Sequence, residues 1–549
     1  MKIFQGDRSP HIPAATGINE PEEKSALKTE VLIIGGGVTG TGLARDLALR
    51  GVQCLLVEKR DINAGASGAN HGLLHSGARY IESDPAAACE CRRENRLLKH
   101  LAPHCIEDVG GLFVAVRGDD ENYIADFPLL CEQCDIPARP LTPSEARELE
   151  PALSEDVIAA YAVEDAAVDP FKLSLVNLSH AQRLGSLLLR HHAAQAIERR
   201  GSRIRSVTLR SDLTGETVRV EPEIVVNAAG AWAGKVAALA GADIHMLYSK
   251  GSMLVTQSRL ATRVINRLRR ATDADILVPG GTVSILGTTS VRVTSPDVIY
   301  PEVKEVDFII DEGAAMMPVL EKTRYIRAYC GVRPLIGGDG NGDDRQVSRG
   351  YALIHHAKDG IENFVSITGG KLTTYRLMAE KTADLVCSRL GIDAACRTQT
   401  EPLPPSRDAR WTEPGLAPHV WIKADNPADQ LLCECEMIPQ SAIEDVLAAI
   451  GDTPQGPRLT AIGLRSRVGK GPCQGTFCSQ RITAFLYDRG IYRGNQGRLN
   501  LCEFLTERWR GQHPLLWNTA LVQAELMEAM HCGLFGLELS QPSEDGPAG

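Results

Sequence analysis

The run VLIIGGGVTG, residues 31–40, places Gly35, Gly37 and Gly40 in G-x-G-x-x-G register directly behind an apolar segment. The first glycine of such a triplet permits a tight turn, the second lets backbone approach a diphosphate, and the third allows a helix to pack closely. The surrounding segment, TEVLIIGGGVTGTGLARDLALRGVQCLLVEK, reads as a buried strand, a glycine turn, an amphipathic helix and a second strand. The N–H groups at the start of that helix would face phosphate. Glu58 closes the second strand, 18 residues past Gly40, where a carboxylate would accept a hydrogen bond from a ribose hydroxyl. A βαβ unit of this kind points to an α/β fold that binds a dinucleotide.

At 549 residues the chain exceeds one ordinary core, and two to four domains are expected. Alternating strand and helix signals run to about residue 390, consistent with a parallel sheet and an inserted substrate domain. The proline-rich RTQTEPLPPSRDARWTEPGLAPHVWIKADNPAD reads as a linker. The expected organisation is a polar leader (1–28), a nucleotide-binding and substrate region (29–390), a linker (391–429), a cysteine-bearing domain (430–490), a helical segment (491–539) and a polar tail (540–549). Hydrophobic residues at 43% and charged residues at 23% fit a globular protein. No apolar run approaches the roughly 20 residues of a membrane-spanning helix. The leader is polar and broken by prolines, unlike a secretory signal, so a cytoplasmic location is expected. A net charge of -10 disfavours nucleic acid as a partner.

Beyond Glu58 comes AGASGANHGLLHSGARY, residues 64–80, a glycine-, serine- and histidine-rich loop unlike the simple return to the sheet of a nicotinamide enzyme. With VVNAAGAWAG at 225–234 it resembles the FAD-dependent amine and hydroxy-acid dehydrogenase superfamily. That resemblance implies an FAD-binding Rossmann-type domain with an inserted α+β substrate domain, followed here by a small C-terminal cysteine-cluster domain. It also implies that Gly35, Gly37, Gly40, Glu58 and Lys59 serve the nucleotide, and that Ser67, His71 and Gly72 run beside the flavin. Gly230, Gly369, Gly370, Leu372 and Thr373 complete the expected FAD set.

HSGARY (75–80), KGSMLV (250–255), DADILVPGGTVSILGTTS (273–290), CGVRPL (330–335), VSRGY (347–351) and GGKLTTYRLMAE (369–380) follow the order found in FAD-dependent glycerol-3-phosphate dehydrogenases. The resemblance covers about residues 28–390, and with the cysteine extension the whole chain resembles the A-type subunits of the anaerobic members. The implied reaction is hydride transfer from C2 of sn-glycerol 3-phosphate to FAD, giving dihydroxyacetone phosphate. A phosphate dianion needs guanidinium forks or ammonium groups presented together, although an isolated arginine is more often a surface ion pair. Arg79, Arg333 and Arg349, with the Tyr80 hydroxyl and Lys371, are assigned to the phosphate ester. His75 is the candidate base, with His71 the alternative, and Lys371 and Arg333 are placed beside the reacting atoms. The loop reads His-Ser-Gly-Ala-Arg where aerobic relatives typically have His-Gly-Gly-Leu-Arg, which keeps the histidine and arginine. The alternative is an FAD-dependent amino-acid or opine dehydrogenase component, for which a single arginine clamp suffices.

Fifteen cysteines in a large chain without a secretory signal read as thiols or metal ligands rather than disulfides. Cys131 and Cys134 form a lone C-x-x-C, read as buried thiols. Cys433, Cys435, Cys473 and Cys478 form a set of four in which zinc or a [2Fe–2S] cluster could be held. A C-x-C start is unusual for zinc. The set resembles the bacterioferritin-associated ferredoxin-like domain, which implies [2Fe–2S], although small free-standing members of that family end in C-x2-C. Hydride delivers two electrons at once, whereas a quinone-linked chain is commonly fed through one-electron carriers, so a cluster on the same polypeptide would link the two. By resemblance, the partners are a B-type flavin subunit plus a C-type iron–sulfur subunit, the latter anchoring the assembly on the cytoplasmic face of the inner membrane and reaching quinone.

Overall fold

A computed structural model describes residues 26–337, 350–451, 453 and 456–534. The βαβ unit is present as β1 (Leu27–Ile34), α1 (Val38–Leu49) and β2 (Cys54–Glu58). Strand β1 thus begins inside the expected leader, at Leu27 and Lys28, while residues 1–25 lie outside the described residues. It pairs in parallel with β2 (Ile34↔Val57) and with Thr217–Asn227 (Ile34↔Asn227). Alternate side chains of these strands enter two cores. Ile33, Leu56 and Val226 pack with α1 on one face, whereas Leu32, Leu55 and Val225 pack with helix Ala233–Leu239 on the other. Burial on both faces explains why VLII and CLLV are continuously apolar rather than alternating.

The second sheet has nine strands and is largely antiparallel, assembled from two stretches inserted into the nucleotide-binding fold. One contributes Gly111–Val116, Arg139–Leu141 and Val157–Val163. The other runs from Met246–Thr256 to Tyr325–Ile336, two strands paired along almost their whole length. Helix Val303–Met316 covers this sheet, with Val306, Ile309 and Met316 fully buried. The sheet brings Arg333 and the 272–290 segment over the mouth of the nucleotide fold.

The C-terminal region has one core drawn from three expected segments. Trp411 and Ala417 come from the proline-rich stretch, Cys433, Ile443 and Cys478 from the cysteine domain, and Leu501 and Phe504 from the terminal helices. The boundaries expected at 429 and 490 are therefore not breaks in packing. The proline-rich stretch forms a short 3-10 helix, Arg407–Thr412, and an α-helix, Leu416–Ala424, because its tryptophan and alanines have an apolar surface to cover. The region docks through Arg465, bidentate to Asp61 at 2.9 and 3.0 Å, and through Arg190 to the Ile450 carbonyl at 2.7 Å. Burial pushes the Asp61 carboxyl up, but Arg465 and Arg190 outweigh it and hold it down to about 2. Among the described residues no helix is long and apolar enough to cross a membrane. The polar tail lies outside the described residues.

Candidate active site

A cavity of about 570 Å³ opens where β1, β2 and the 64–80 loop meet the underside of the second sheet. This is in the size range of cofactor and ligand sites. Its nucleotide end is shaped by the glycine triplet. Gly35 has φ +122°, and a Cβ there would lie 2.4 Å from the Ala228 carbonyl; a Cβ at Gly40 would lie 1.9 Å from the Gly35 carbonyl. Gly37, Val38 and Thr39 line the cavity at the start of α1, and the Val38 N–H donates to Ser67 Oγ at 2.9 Å. The helix N-terminus is thereby aimed at the place a diphosphate would occupy. The Glu58 carboxylate accepts from the Gly36 and Arg60 N–H groups at 2.7 and 2.9 Å, which fixes it at the end of β2 with lone pairs left for ribose. Lys59 lies 3.8 Å over the Trp232 ring, a flat surface that the sequence reading did not single out.

The other end of the cavity gathers the expected substrate residues. His75, Arg79, Tyr80, Arg333 and Lys371 all line it, as do His71, Gly230, Gly369, Gly370 and Leu372. The Tyr80 hydroxyl lies 3.4 Å from His75 Nε2, and Lys371 Nζ lies 4.6 Å from the Tyr80 ring. Arg333 donates to the Thr289 carbonyl at 2.9 Å and to Thr288 Oγ1. Its guanidinium fits because position 251 is glycine; a Cβ there would lie 2.4 Å from Arg333 Nη2. Arg79 donates to the Thr272 carbonyl at 2.9 Å and pairs with Asp275 at 3.2 Å. Arg349 falls outside the described residues.

Gly40, Gly72 and Thr373 stand behind the cavity wall instead of on it. Gly72 has φ +71°, and a Cβ there would approach the Val168 carbonyl to 2.7 Å. Thr373 Oγ1 accepts from the His75 backbone N–H at 3.1 Å. Residues missing from the sequence reading include Asp275, Thr288, Thr289 and Trp232; they sit in or beside quoted segments, but no spacing rule marks a residue whose task is to hold another.

Electrostatics keep both histidines neutral. Burial pushes His75 well below the usual imidazole value, with His71, Arg79 and Lys371 adding to the effect. Burial, Arg333 and Arg79 take His71 down to about 3. A neutral imidazole beside three cationic side chains can accept a proton, and an incoming dianion would offset the cations that disfavour its protonation.

The four C-terminal cysteines are brought together. Cys433 Sγ is 3.8 Å from Cys435 Sγ, which is 3.6 Å from Cys473 Sγ, and Cys478 contacts both Cys433 and Cys473. Among the described residues no group of three or more His, Cys, Asp or Glu side chains already has metal-holding geometry. The donor chemistry does fit a metal–thiolate centre. Hydrogen bonds from Cys435 and Cys478, with the Gly475 and Phe477 N–H groups, favour the Cys473 thiolate. Arg508 is half-buried beside these sulfurs with a 3.5 Å hydrogen bond to neutral Gln474, and desolvation pushes it down to about 9, opposed by Glu507 and the sulfurs. Net negative charge on four sulfurs would compensate it. Cys131 and Cys134, by contrast, are buried thiols under the second sheet, with Cys134 in contact with Cys89.

The Rossmann-type sheet, the glycine-lined diphosphate end and the cationic far end define an FAD-dependent oxidoreductase. Residues 30–385 match the FAD dependent oxidoreductase family. The chain is 40% identical over 539 residues to the A-type subunit of the anaerobic glycerol-3-phosphate dehydrogenase of Escherichia coli (strain K12), across 94% of this chain and 99% of that one. It is 40% identical over 531 residues to the A1-type subunit of the same enzyme from Haloferax volcanii, across 91% and 89%. Among solved structures, the glycerol-3-phosphate dehydrogenase of Bacillus halodurans complexed with FAD shares the fold, with a TM-score of 0.61 at 21% identity over 90% of this chain and 97% of that one. The chain belongs to the family of A-type subunits of anaerobic glycerol-3-phosphate dehydrogenase, within the FAD dependent oxidoreductases.

Proposed function

We propose that the chain oxidises sn-glycerol 3-phosphate to dihydroxyacetone phosphate. The observation that carries this reading is the convergence of Arg79, Arg333 and Lys371 with His75 on one end of a cavity whose other end is built for a diphosphate. When bound, FAD supplies the hydride acceptor. Arg333 and Arg79 hold the phosphate, Tyr80 and Lys371 flank the glycerol carbons, and His75 Nε2 takes the C2 hydroxyl proton, with His71 the alternative acceptor. Lys371 stabilises the negative charge that develops as the proton leaves. Loss of that proton together with the C2 hydrogen and its electron pair leaves the ketone. An amino acid or opine substrate needs one cationic clamp, and three cations exceed that need. Arg349 belongs to the same proposed phosphate set.

Anaerobic addition of sn-glycerol 3-phosphate, against a panel of amino acids, tests this reading. Bleaching of the flavin spectrum by the phosphate ester alone supports it; bleaching by an amino acid but not by the ester overturns it.

For the C-terminal cysteines we propose Cys433, Cys435, Cys473 and Cys478 as ligands of a [2Fe–2S] cluster that passes electrons singly toward quinone. The relatives matched over nearly the whole chain are named as A-type subunits, which supports an assembly with a B-type flavin subunit plus a membrane-anchoring C-type iron–sulfur subunit on the cytoplasmic face of the inner membrane. About two irons and two acid-labile sulfides per chain support the cluster, whereas one zinc per chain overturns it while leaving the dehydrogenase reading intact.

A further inference from the structure

His75 is held through the two peptide groups that flank its Cα. Its N–H donates to Thr373 Oγ1 at 3.1 Å, and the next N–H, that of Ser76, donates to Asp165 Oδ1 at 2.6 Å. The second oxygen of Asp165 accepts from the Asn266 amide at 2.9 Å. Ser76 and Asn266 are fully buried and Asp165 is 2% exposed. The turn that follows is equally constrained: Gly77 has φ +105°, and a Cβ there would lie 2.4 Å from the Ala88 carbonyl.

Among the described residues Asp165 has no arginine, lysine or histidine in its ion pairs or hydrogen bonds, and burial pushes its carboxyl up, opposed chiefly by Ser76. A carboxylate buried on N–H and O–H donors is costly to desolvate, and a neutral acceptor could satisfy the same donors at lower cost. Room for it is made by a glycine: a Cβ at Gly111 would lie 2.7 Å from Asp165 Cβ. The serine that departs from the His-Gly-Gly pattern of aerobic relatives supplies the extra donor, because its hydroxyl also bonds Asp165 while accepting from the Ala78 N–H at 3.5 Å. Three elements from separate parts of the chain therefore fix the two peptide planes that flank the His75 Cα, and the side chain between them is the imidazole of His75.

We propose that Asp165 is a positioning residue for the oxidation, setting the direction of His75 toward the substrate hydroxyl by accepting the Ser76 N–H; this rests on His75 as the base. Proton transfer requires the acceptor within hydrogen-bond reach, and a misplacement of about 1 Å can cost about a hundredfold in rate. What Asp165 supplies here is an acceptor, not a charge. Among the described residues Asn266 Oδ1 is buried without a hydrogen-bond partner, so a rotated Asn266 amide could accept from an asparagine placed at 165 while that asparagine's oxygen kept the Ser76 N–H.

The test measures flavin reduction by sn-glycerol 3-phosphate in stopped flow, together with substrate Kd, FAD content and the solvent deuterium isotope effect. Asp165→Ala is expected to slow reduction by about 10- to 100-fold with Kd within about 2-fold, full FAD content and a larger solvent isotope effect. Asp165→Asn is expected to restore the rate to within about 3-fold of the parent. Thr373→Val, nearly isosteric, releases the peptide preceding His75 and is expected to slow reduction similarly if Asp165→Ala does not fold. A parent-like rate in Asp165→Ala, or in Thr373→Val where it alone folds, overturns the proposal, as does an asparagine variant as slow as the alanine. His75→Asn separates the two readings: if it reduces flavin at the parent rate the base assignment itself fails, whereas an inactive His75→Asn beside a parent-like Asp165→Ala removes only the positioning role.

Discussion

Asp275 grips Arg79 from behind the cavity wall: the pair is 3.2 Å apart, and the Asp275 side chain is wholly buried while Arg79 keeps partial access to the cavity. The same carboxylate takes Arg269 at 2.9 Å and the Thr272 N–H at 2.6 Å, so its own position is fixed from two further directions. Asp275→Asn should loosen the Arg79 fork. Charged hydrogen bonds contribute about 1.5–3 kcal/mol, so KM for sn-glycerol 3-phosphate should rise about tenfold with FAD content unchanged. Steady-state kinetics checks this, and an unchanged KM would place Arg79 off the phosphate.

Arg333 presents a planar fork already oriented by Thr289 and Thr288. Lysine keeps the charge but loses the two-pronged geometry, so Arg333→Lys should raise KM for the phosphate ester about 10- to 100-fold. Glycerol, which lacks the phosphate, should be oxidised as slowly by the variant as by the parent. Equal losses on both compounds would show that Arg333 acts on the reacting carbon instead.

Much of this site was legible in the residues. The glycine triplet, Glu58, the histidine–arginine loop and the four cysteines mark themselves because each task proposed for them admits few residue types. Asp165, Asp275 and Thr289 were not legible, because a buried acceptor can be supplied by many residues at no fixed spacing from the side chain it holds. The shared core of the C-terminal region was hidden for another reason: prolines at 402, 404 and 405 read as a linker, and only the tertiary surface beneath Trp411 gives the stretch something to cover.

Acid should destabilise the chain through its cavity histidines. In the folded chain burial, with Arg333 and Arg79, pushes His71 from its ordinary 6.5 down to about 3. The folded value is the lower, so the unfolded chain binds the proton more readily; the stability is complete above pH 6.5 and drains away as pH falls toward 3. With saturating FAD, the urea midpoint should therefore decline between about pH 6.5 and 4.5, and His71→Asn should reduce that slope by up to about one proton per chain. An identical slope in the variant would mean that His71 is open to solvent.

Removal of a C-terminal thiol should be felt only locally. Cys473→Ser should abolish bound iron or zinc while leaving flavin content and flavin reduction by substrate near the parent level, whereas Cys131→Ser should keep the metal. Elemental analysis and visible spectra decide this. Full metal content in Cys473→Ser would remove it from the ligand set.

The strand Tyr325–Ile336 carries Arg333 at the cavity and, six residues earlier, Arg327, which meets Glu507 at 3.4 Å and packs beneath Gly511 of the helix Gln496–Gln512. A fragment ending near residue 400 would strip that cover and leave the half-buried Arg327 guanidinium facing water, on the strand that also carries Arg333, the proposed phosphate ligand. The dehydrogenase half is thus not a separable module: shortened recombinant versions should express poorly or aggregate, and inherited truncations would silence the oxidation chemistry along with the cysteine centre.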